Sequence, residues 1–186
     1  MAAAVVCHPH PLFGGTMHNK AVHAAATVLV RAGVPTLRFN FRGAGLSGGT
    51  HDGGRGEQDD LRVVLDHLAS RYPALPLLVA GYSFGSFVGL RVGCSYPRVA
   101  ALIGIGVPLA LYDFSFLTGC DRPLALIQGD QDQFGPLPQL TAMAASLPHG
   151  ARVLWVTGAR HDFVGHLDEL AMRIDEAIPP QFRTDS

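Results

Sequence analysis

The sequence has little charge and no long hydrophobic run, and each shortage excludes a class of protein. Charged residues make up 16% of the 186 positions, and 14 basic against 15 acidic residues leave a net charge of −1. Because no block of like charges occurs, we expect neither nucleic acid nor an anionic membrane as a partner. The longest apolar stretch, residues 100–112, is interrupted by Gly104, Gly106 and Pro108. It is too short to cross a bilayer, which needs about 20 apolar residues.

Cysteine is also scarce, and its spacing argues against a disulfide framework or a zinc site. Cys7, Cys94 and Cys120 are odd in number and form no C-x-x-C pair. Such a set is typical of reduced thiols in a reducing compartment. The first residues lack the basic segment that opens a secretory signal peptide. We therefore expect three reduced thiols and a cytoplasmic protein.

What the sequence does contain is apolar residues, 48% of the total, which is enough for one globular domain over residues 1–186. Strand-like and helix-like segments alternate along it, a pattern that favours a parallel sheet covered by helices on both faces. The predicted strands are residues 2–7, 35–41, an apolar run from Leu75, and residues 99–107, 124–128 and 152–157. The predicted helices are residues 17–32, 57–71, 84–95, 137–147 and 164–178, with Thr16 as the cap of the first.

The apolar run from Leu75 leads into Gly81-Tyr82-Ser83-Phe84-Gly85, followed by a helix rich in small residues. This strand, turn and helix are the context in which G-x-S-x-G forms a nucleophile elbow. The turn is so tight that the residues two before and two after the serine must lack bulk, which glycine satisfies. Ser83 is therefore the candidate nucleophile.

Other polar side chains also follow predicted strands. His8 and His10 follow the first strand, Asp132 follows the fifth and His161 follows the sixth. In an open parallel sheet, ligands bind beyond the carboxyl ends of the strands. The chain order Ser83, Asp132, His161 is that of an α/β-hydrolase triad, in which histidine activates serine and a carboxylate orients the histidine.

Two carboxylates compete for the role of the acid. Asp130 comes directly after the strand, whereas Asp132 lies two residues further into the loop. Since the acid must reach the histidine from the loop, we predict Asp132 and interpret Asp130 as a residue that holds the turn.

Acyl transfer also needs donors for the developing oxyanion. One is expected to be the backbone N–H of Phe84, directly after the nucleophile, and the other an N–H from the loop after the first strand. Pro9 and Pro11 have no N–H, so the second donor is His10 or Leu12, and the sequence does not choose between them.

Neither a metal nor a nucleotide is expected. The nine histidines match neither H-E-x-x-H nor a zinc-finger spacing. The literal G-x-G-x-x-G at residues 43–48 is followed by more loop and not by a helix, so we interpret it as a structural turn. No cofactor is predicted.

The segments HPHPLFGGTMHNKAV, LRFNFRGAGLSGG, GYSFGS, YDFSFL, GDQD and GARHDF together resemble the α/β-hydrolase superfamily. Within it the chain is most similar to small lid-less bacterial hydrolases with a His-Pro-His-Pro motif, near the dienelactone hydrolases, although their nucleophile is cysteine. The resemblance implies a three-layer α/β/α fold with a mostly parallel sheet of about six strands, without the usual N-terminal antiparallel strands or a lid domain. It also implies a Ser83–Asp132–His161 triad without metal or cofactor.

Two further expectations follow from the absence of the N-terminal antiparallel strands and of a lid domain. The strand at residues 35–41 should lie near an exposed sheet edge, where a second copy could pair to form a homodimer. The short segment at residues 108–123 leaves an open site with an aromatic rim. The candidate substrate-lining residues are Phe13, Tyr82, Tyr112, Phe114 and Phe116.

These features predict a serine hydrolase that cleaves small carboxylic esters, or thioesters, through an acyl-serine. The alternatives are a non-enzymatic binding protein with the same fold, or an acyltransferase or peptidase that uses the same triad. Fold analogy does not choose among them. The physiological substrate and the oligomeric state stay open.

Overall fold

The computed structural model describes residues 1–184 and contains a six-stranded sheet in the order β2-β1-β3-β4-β5-β6. Every neighbouring pair of strands is parallel. The strands are β1 (Ala3–Cys7), β2 (Thr36–Arg38), β3 (Leu77–Tyr82), β4 (Val99–Ile105), β5 (Leu124–Gly129) and β6 (Arg152–Val156). The predicted class of fold, with about six strands and no lid domain, is confirmed.

Helices cover both faces of this sheet, as the alternation of segments predicted. They are α1 (Lys20–Arg31), α2 (Arg55–Arg71), α3 (Phe84–Ser95), α4 (Leu137–Ser146) and α5 (Leu167–Ala177). Side chains of α1 and α5 share one core cluster with Leu78 and Ala80 of β3. Those of α2, α3 and α4 share the other with Leu77 and Val79. Successive residues of a strand point to opposite faces, so β3 must be apolar throughout.

The edge strand β2 is much shorter than the predicted strand at residues 35–41. After Arg38 the chain leaves the sheet, and the backbone N–H of Phe41 donates to Nε2 of His8 at 2.9 Å. The strand does lie at the sheet edge, beside β1 alone. Pairing of that edge with a second copy stays a prediction.

Two helices begin later than predicted, because local turns precede them. The cap of α1 is Asn19 and not Thr16, since the side-chain oxygen of Asn19 accepts from the backbone N–H of Ala21 at 2.9 Å. The last helix begins at Leu167, because Phe163 takes a positive φ of 53° and starts a turn.

The expectation of three reduced thiols is wrong, because Cys94 and Cys120 form a disulfide. Cys94 lies near the end of α3, and the fold brings it to the segment that leads into β5. The sequence separation of 26 positions conceals the proximity of the two cysteines. Cys7 is free and buried. The cysteine count therefore no longer supports a reducing compartment.

No helix within residues 1–184 is both long and apolar enough to cross a membrane.

Candidate active site

Ser83 sits in a tight turn between β3 and α3. Its φ of 56° and ψ of −122° lie in a region that residues with a side chain rarely adopt. A side chain at Gly81 would collide with the carbonyl of Gly85, and one at Gly85 would collide with the backbone of Cys7 and His8. The requirement for two glycines around the serine is therefore steric, and the turn raises the hydroxyl above the ends of the strands.

His161 lies in the loop after β6, with its ring directed at the serine. Its Nε2 is 2.8 Å from Oγ of Ser83. The Tyr82 hydroxyl donates to the backbone carbonyl of His161 at 2.9 Å, which ties this loop to the end of β3. Burial, and next the charge of Asp132, raise the pKa of Tyr82 well above its ordinary value. The phenol thus keeps the proton that it donates.

The carboxylate of Asp132 completes the chain of contacts. Its Oδ2 is 2.8 Å from Nδ1 of His161, and the residue is only 3% exposed. The side-chain N–H of Gln128 donates to the same oxygen at 2.7 Å, and the backbone N–H of Phe134 donates to Oδ1 at 2.8 Å. A buried charge needs such partners, because its loss of hydration is otherwise costly. No signal in the sequence pointed to Gln128, which lies in β5, ahead of the loop that carries Asp132.

Asp130, the other candidate for the acid, holds a turn and does not contact His161. Its Oδ1 accepts from the backbone N–H of Gly158 at 2.8 Å, which joins the loops after β5 and β6. Asp132, two residues further on, is the carboxylate that contacts His161.

Of the three candidate backbone donors, two are free and one is occupied. Within residues 1–184, the N–H groups of His10 and Phe84 have no hydrogen-bond partner. The N–H of Leu12 donates to Nδ1 of the His10 ring at 3.2 Å, inside the 3-10 turn Pro11–Phe13. Of the two alternatives left open, His10 therefore fits an oxyanion site and Leu12 does not.

His8 orients the peptide that carries the His10 N–H. Its Nε2 accepts from the backbone N–H of Phe41, so Nδ1 carries the proton and donates to the Pro9 carbonyl at 2.6 Å. The carbonyl of Pro9 and the N–H of His10 belong to one planar peptide and point in opposite directions. Because His8 fixes the direction of the Pro9 carbonyl, it also fixes the direction of the His10 N–H. Burial lowers the pKa of His8, which keeps the ring neutral.

Two pockets meet at His161 and Phe134. The first, of about 540 Å³, contains Ser83 and is mainly apolar; its lining is Pro9, His10, Phe13, Asn19, Tyr82, Ser83, Leu111, Phe134 and His161. The second, of about 560 Å³, is about equally polar and apolar; its lining is Gln131, Gln133, Phe134, Arg160, His161 and Asp162. The second pocket is thus the more polar of the two, and the imidazole of His161 lines both.

The structure separates the predicted rim residues into two groups. Phe13 and Tyr82 line the apolar pocket, whereas Tyr112, Phe114 and Phe116 pack around Phe87 of α3. Tyr112 stacks on Phe87 with ring centroids 4.7 Å apart, and Phe114 is only 5% exposed. The apolar side of α3 must be covered, and these rings cover it. The exposed residue of that segment that reaches the pocket is Leu111.

No group of three or more His, Cys, Asp or Glu side chains in the described part of the chain is placed to hold a metal ion.

Comparison with known proteins decides the family. The family model for the alpha/beta hydrolase domain matches residues 3–172. The chain belongs to this family. The predicted resemblance is thus confirmed.

Solved structures share this fold closely. An alpha-beta serine hydrolase homologue from Coxiella burnetii is 36% identical, with a TM-score of 0.91 over 96% of this chain and 85% of that one. XC6422 from Xanthomonas campestris, an α/β serine hydrolase without a lid, is 33% identical, with a TM-score of 0.91 over 100% of this chain and 84% of that one. These neighbours support a hydrolase activity.

A sequence relative is the uncharacterized protein RP471 of Rickettsia prowazekii (strain Madrid E). It is 41% identical over 133 residues, which cover 69% of this chain and 56% of RP471. The matched part thus spans little more than half of that relative.

Proposed function

We propose that the protein is a serine hydrolase that cleaves carboxylic esters, or thioesters, of small acyl groups through an acyl-Ser83 intermediate. The observation that carries the proposal is the unbroken chain of contacts from Ser83 Oγ to His161 Nε2 and from His161 Nδ1 to Asp132 Oδ2, each 2.8 Å long. A serine hydroxyl is a weak nucleophile until a neighbouring base accepts its proton during attack.

Acylation begins when Ser83 Oγ attacks the ester carbonyl carbon and His161 Nε2 takes the hydroxyl proton. The carbonyl oxygen becomes an oxyanion, which the N–H groups of His10 and Phe84 would stabilise. Asp132 accepts from Nδ1–H, so it holds the tautomer with a free Nε2 and stabilises the imidazolium. Collapse breaks the bond to the leaving oxygen, or sulfur in a thioester, and His161 returns the proton to it.

Deacylation repeats the same steps with water. His161 Nε2 takes a proton from water as its oxygen attacks the acyl carbon, and a second tetrahedral oxyanion forms at the same donors. Its collapse breaks the bond to Ser83 Oγ, which recovers its proton from His161. The products are a carboxylic acid and free enzyme.

The two pockets suggest which end of the substrate is apolar. His161 must reach the leaving atom, so the leaving group belongs next to the more polar pocket, which contains Arg160 and Asp162. The acyl group then occupies the apolar pocket, where Phe13 and Leu111 form an exposed margin. A short apolar acyl group on a polar alcohol or thiol is the substrate class that this division favours.

Labelling with a fluorophosphonate tests the nucleophile directly. The wild type should react and Ser83→Ala should not, while Ser70→Ala, which changes an exposed serine on α2, should react like the wild type. Hydrolysis of p-nitrophenyl esters, from the acetate to the octanoate, should be present in the wild type and in Ser70→Ala and absent in Ser83→Ala. In the wild type, the rate should fall as the acyl chain lengthens. Equal labelling of wild type and Ser83→Ala would refute the assignment. A wild type that binds esters without hydrolysing them would favour a binding protein.

A further inference from the structure

A buried carboxylate lies close to the active site but outside the chain of contacts at Ser83. Glu57, in the first turn of α2, is fully buried. Its Oε2 accepts from the backbone N–H of Gly54 at 2.8 Å, and its Oε1 accepts from that of Asp52 at 2.9 Å. These bonds fasten the loop before α2, but both donors are neutral. A fully buried carboxylate is costly unless it is well partnered.

The third group at this carboxylate is the imidazole of His51. Its Nδ1 lies 2.7 Å from Glu57 Oε1, and the His51 side chain is 12% exposed. The ring is turned so that the approach is a close polar contact and not a well-aligned hydrogen bond. One edge of the His51 ring therefore lies against the buried carboxylate of Glu57.

The rest of the His51 ring faces the two residues with free backbone N–H groups. Its centroid is 4.4 Å from that of His10 and 5.3 Å from that of Phe84. The rings of His10 and Phe84 also contact each other, with centroids 5.0 Å apart. One imidazole therefore packs against the side chains of both proposed oxyanion donors.

We propose that Glu57 and His51 are positioning residues of the oxyanion hole. The carboxylate holds the imidazole, and the imidazole holds His10 and Phe84 at a constant separation. This inference rests on the proposed function, because it concerns the hole that the hydrolysis would use. Donors stabilise a transition state only if they are already in place when the charge develops. His8 orients the Pro9–His10 peptide from one side, and the Glu57–His51 pair supports the His10 ring from the other.

The test compares Glu57→Gln and His51→Asn with the wild type and with His67→Gln, a control at an exposed histidine of α2. We expect kcat for p-nitrophenyl butyrate to fall about tenfold in both positioning variants, with KM changed less than twofold. The Ki of a trifluoromethyl ketone, whose adduct with Ser83 places an oxyanion in the hole, should rise about tenfold. The Ki of butyrate, which forms no adduct, should stay constant.

A purely structural role would give a different result. Thermal melting shows whether each variant is folded at the assay temperature. If Glu57→Gln does not fold, His51→Asn still provides the test, because it leaves the bonds from Glu57 to the loop before α2 in place. Folded variants with unchanged kcat and unchanged ketone affinity would overturn the inference, as would a rise in KM alone. Failure of the proposed function is distinct, since the wild type would then neither hydrolyse the ester nor react with a fluorophosphonate.

Discussion

The side-chain N–H of Gln128 donates to Asp132 Oδ2, the same oxygen that contacts His161, at 2.7 Å. The Gln128 carbonyl oxygen accepts from the backbone N–H of Val107 at 2.7 Å, so the amide is held at both ends. Gln128 is fully buried. The carboxylate of Asp132, the proposed acid, is therefore oriented by a residue of β5 itself.

Replacing Gln128 with methionine, which is similar in size, should remove this orientation. We expect kcat to fall about tenfold. The free energy of unfolding should fall by about 1–3 kcal/mol, because the N–H of Val107 loses its acceptor. Steady-state kinetics and urea unfolding measure the two effects. A variant with wild-type kcat would show that Phe134 and His161 orient Asp132 without help.

The acid assignment predicts opposite behaviour for two neighbouring aspartates. Asp132→Asn should lower kcat by roughly 10³-fold to 10⁴-fold while the protein stays folded, because the imidazole loses the partner that selects its tautomer. Asp130→Asn should change kcat by less than about threefold and lower the melting temperature, because it weakens the bond to Gly158. Kinetics on p-nitrophenyl butyrate compare them. A larger loss of kcat in Asp130→Asn would contradict the assignment.

Acid should destabilise the protein through His8. Burial lowers its pKa in the folded state, while the unfolded chain keeps the ordinary value of 6.5. As pH falls through about 6.5, the unfolded state binds a proton that the folded state does not, so stability decreases. Urea unfolding between pH 8 and pH 5 should show this loss. His8→Asn should be less stable at pH 8 but flatter in its pH dependence, whereas His67→Gln should keep the wild-type slope; equal slopes in all three would exclude His8.

The bond between Cys94 and Cys120 should contribute to stability. The cysteines are 26 residues apart, and closing a loop of that size is worth about 3.5 kcal/mol in the chain-entropy account. Dithiothreitol should therefore lower the melting temperature of the wild type but not of a Cys94→Ser, Cys120→Ser double variant. Mass spectrometry after alkylation should find one labelled cysteine in the unreduced, denatured protein, and three labels would contradict the bond.

Arg160 should set the preference for the leaving group. It is exposed at the more polar of the two pockets and, within the described residues, has no side-chain hydrogen bond or ion pair. Arg160→Ala should lower kcat/KM about fivefold for a butyrate ester with a carboxylate on its alcohol. It should leave kcat/KM unchanged for a neutral ester of the same acyl group. An equal change for both esters would show that Arg160 does not recognise the leaving group.

Local sequence signals were reliable where the physical cause is local. The glycines around Ser83 are required by the turn itself, and the apolar residues of β1 and β3 by a sheet with two covered faces. Ser83, Asp132 and His161 were each predicted to follow a strand, in the chain order of a triad. The fold brings His161 into contact with the other two.

Where distant segments meet, local signals were insufficient. Leu12 was a possible donor until its N–H was seen to bond to the His10 ring, and Tyr112 was a possible rim residue until it was seen to cover Phe87. The disulfide and the role of Gln128 depend likewise on which residues the sheet brings side by side.

By itself, then, the sequence determined the parallel α/β architecture and the elbow at Ser83, because hydrophobic periodicity and glycine stereochemistry act over a few residues. Only the tertiary structure decided that Asp132 contacts His161 while Asp130 ties two loops, and that His51 lies between Glu57 and the donors at His10 and Phe84. Those contacts join residues up to 41 positions apart (from residue 10 to residue 51), and their geometry is set by packing across the whole sheet.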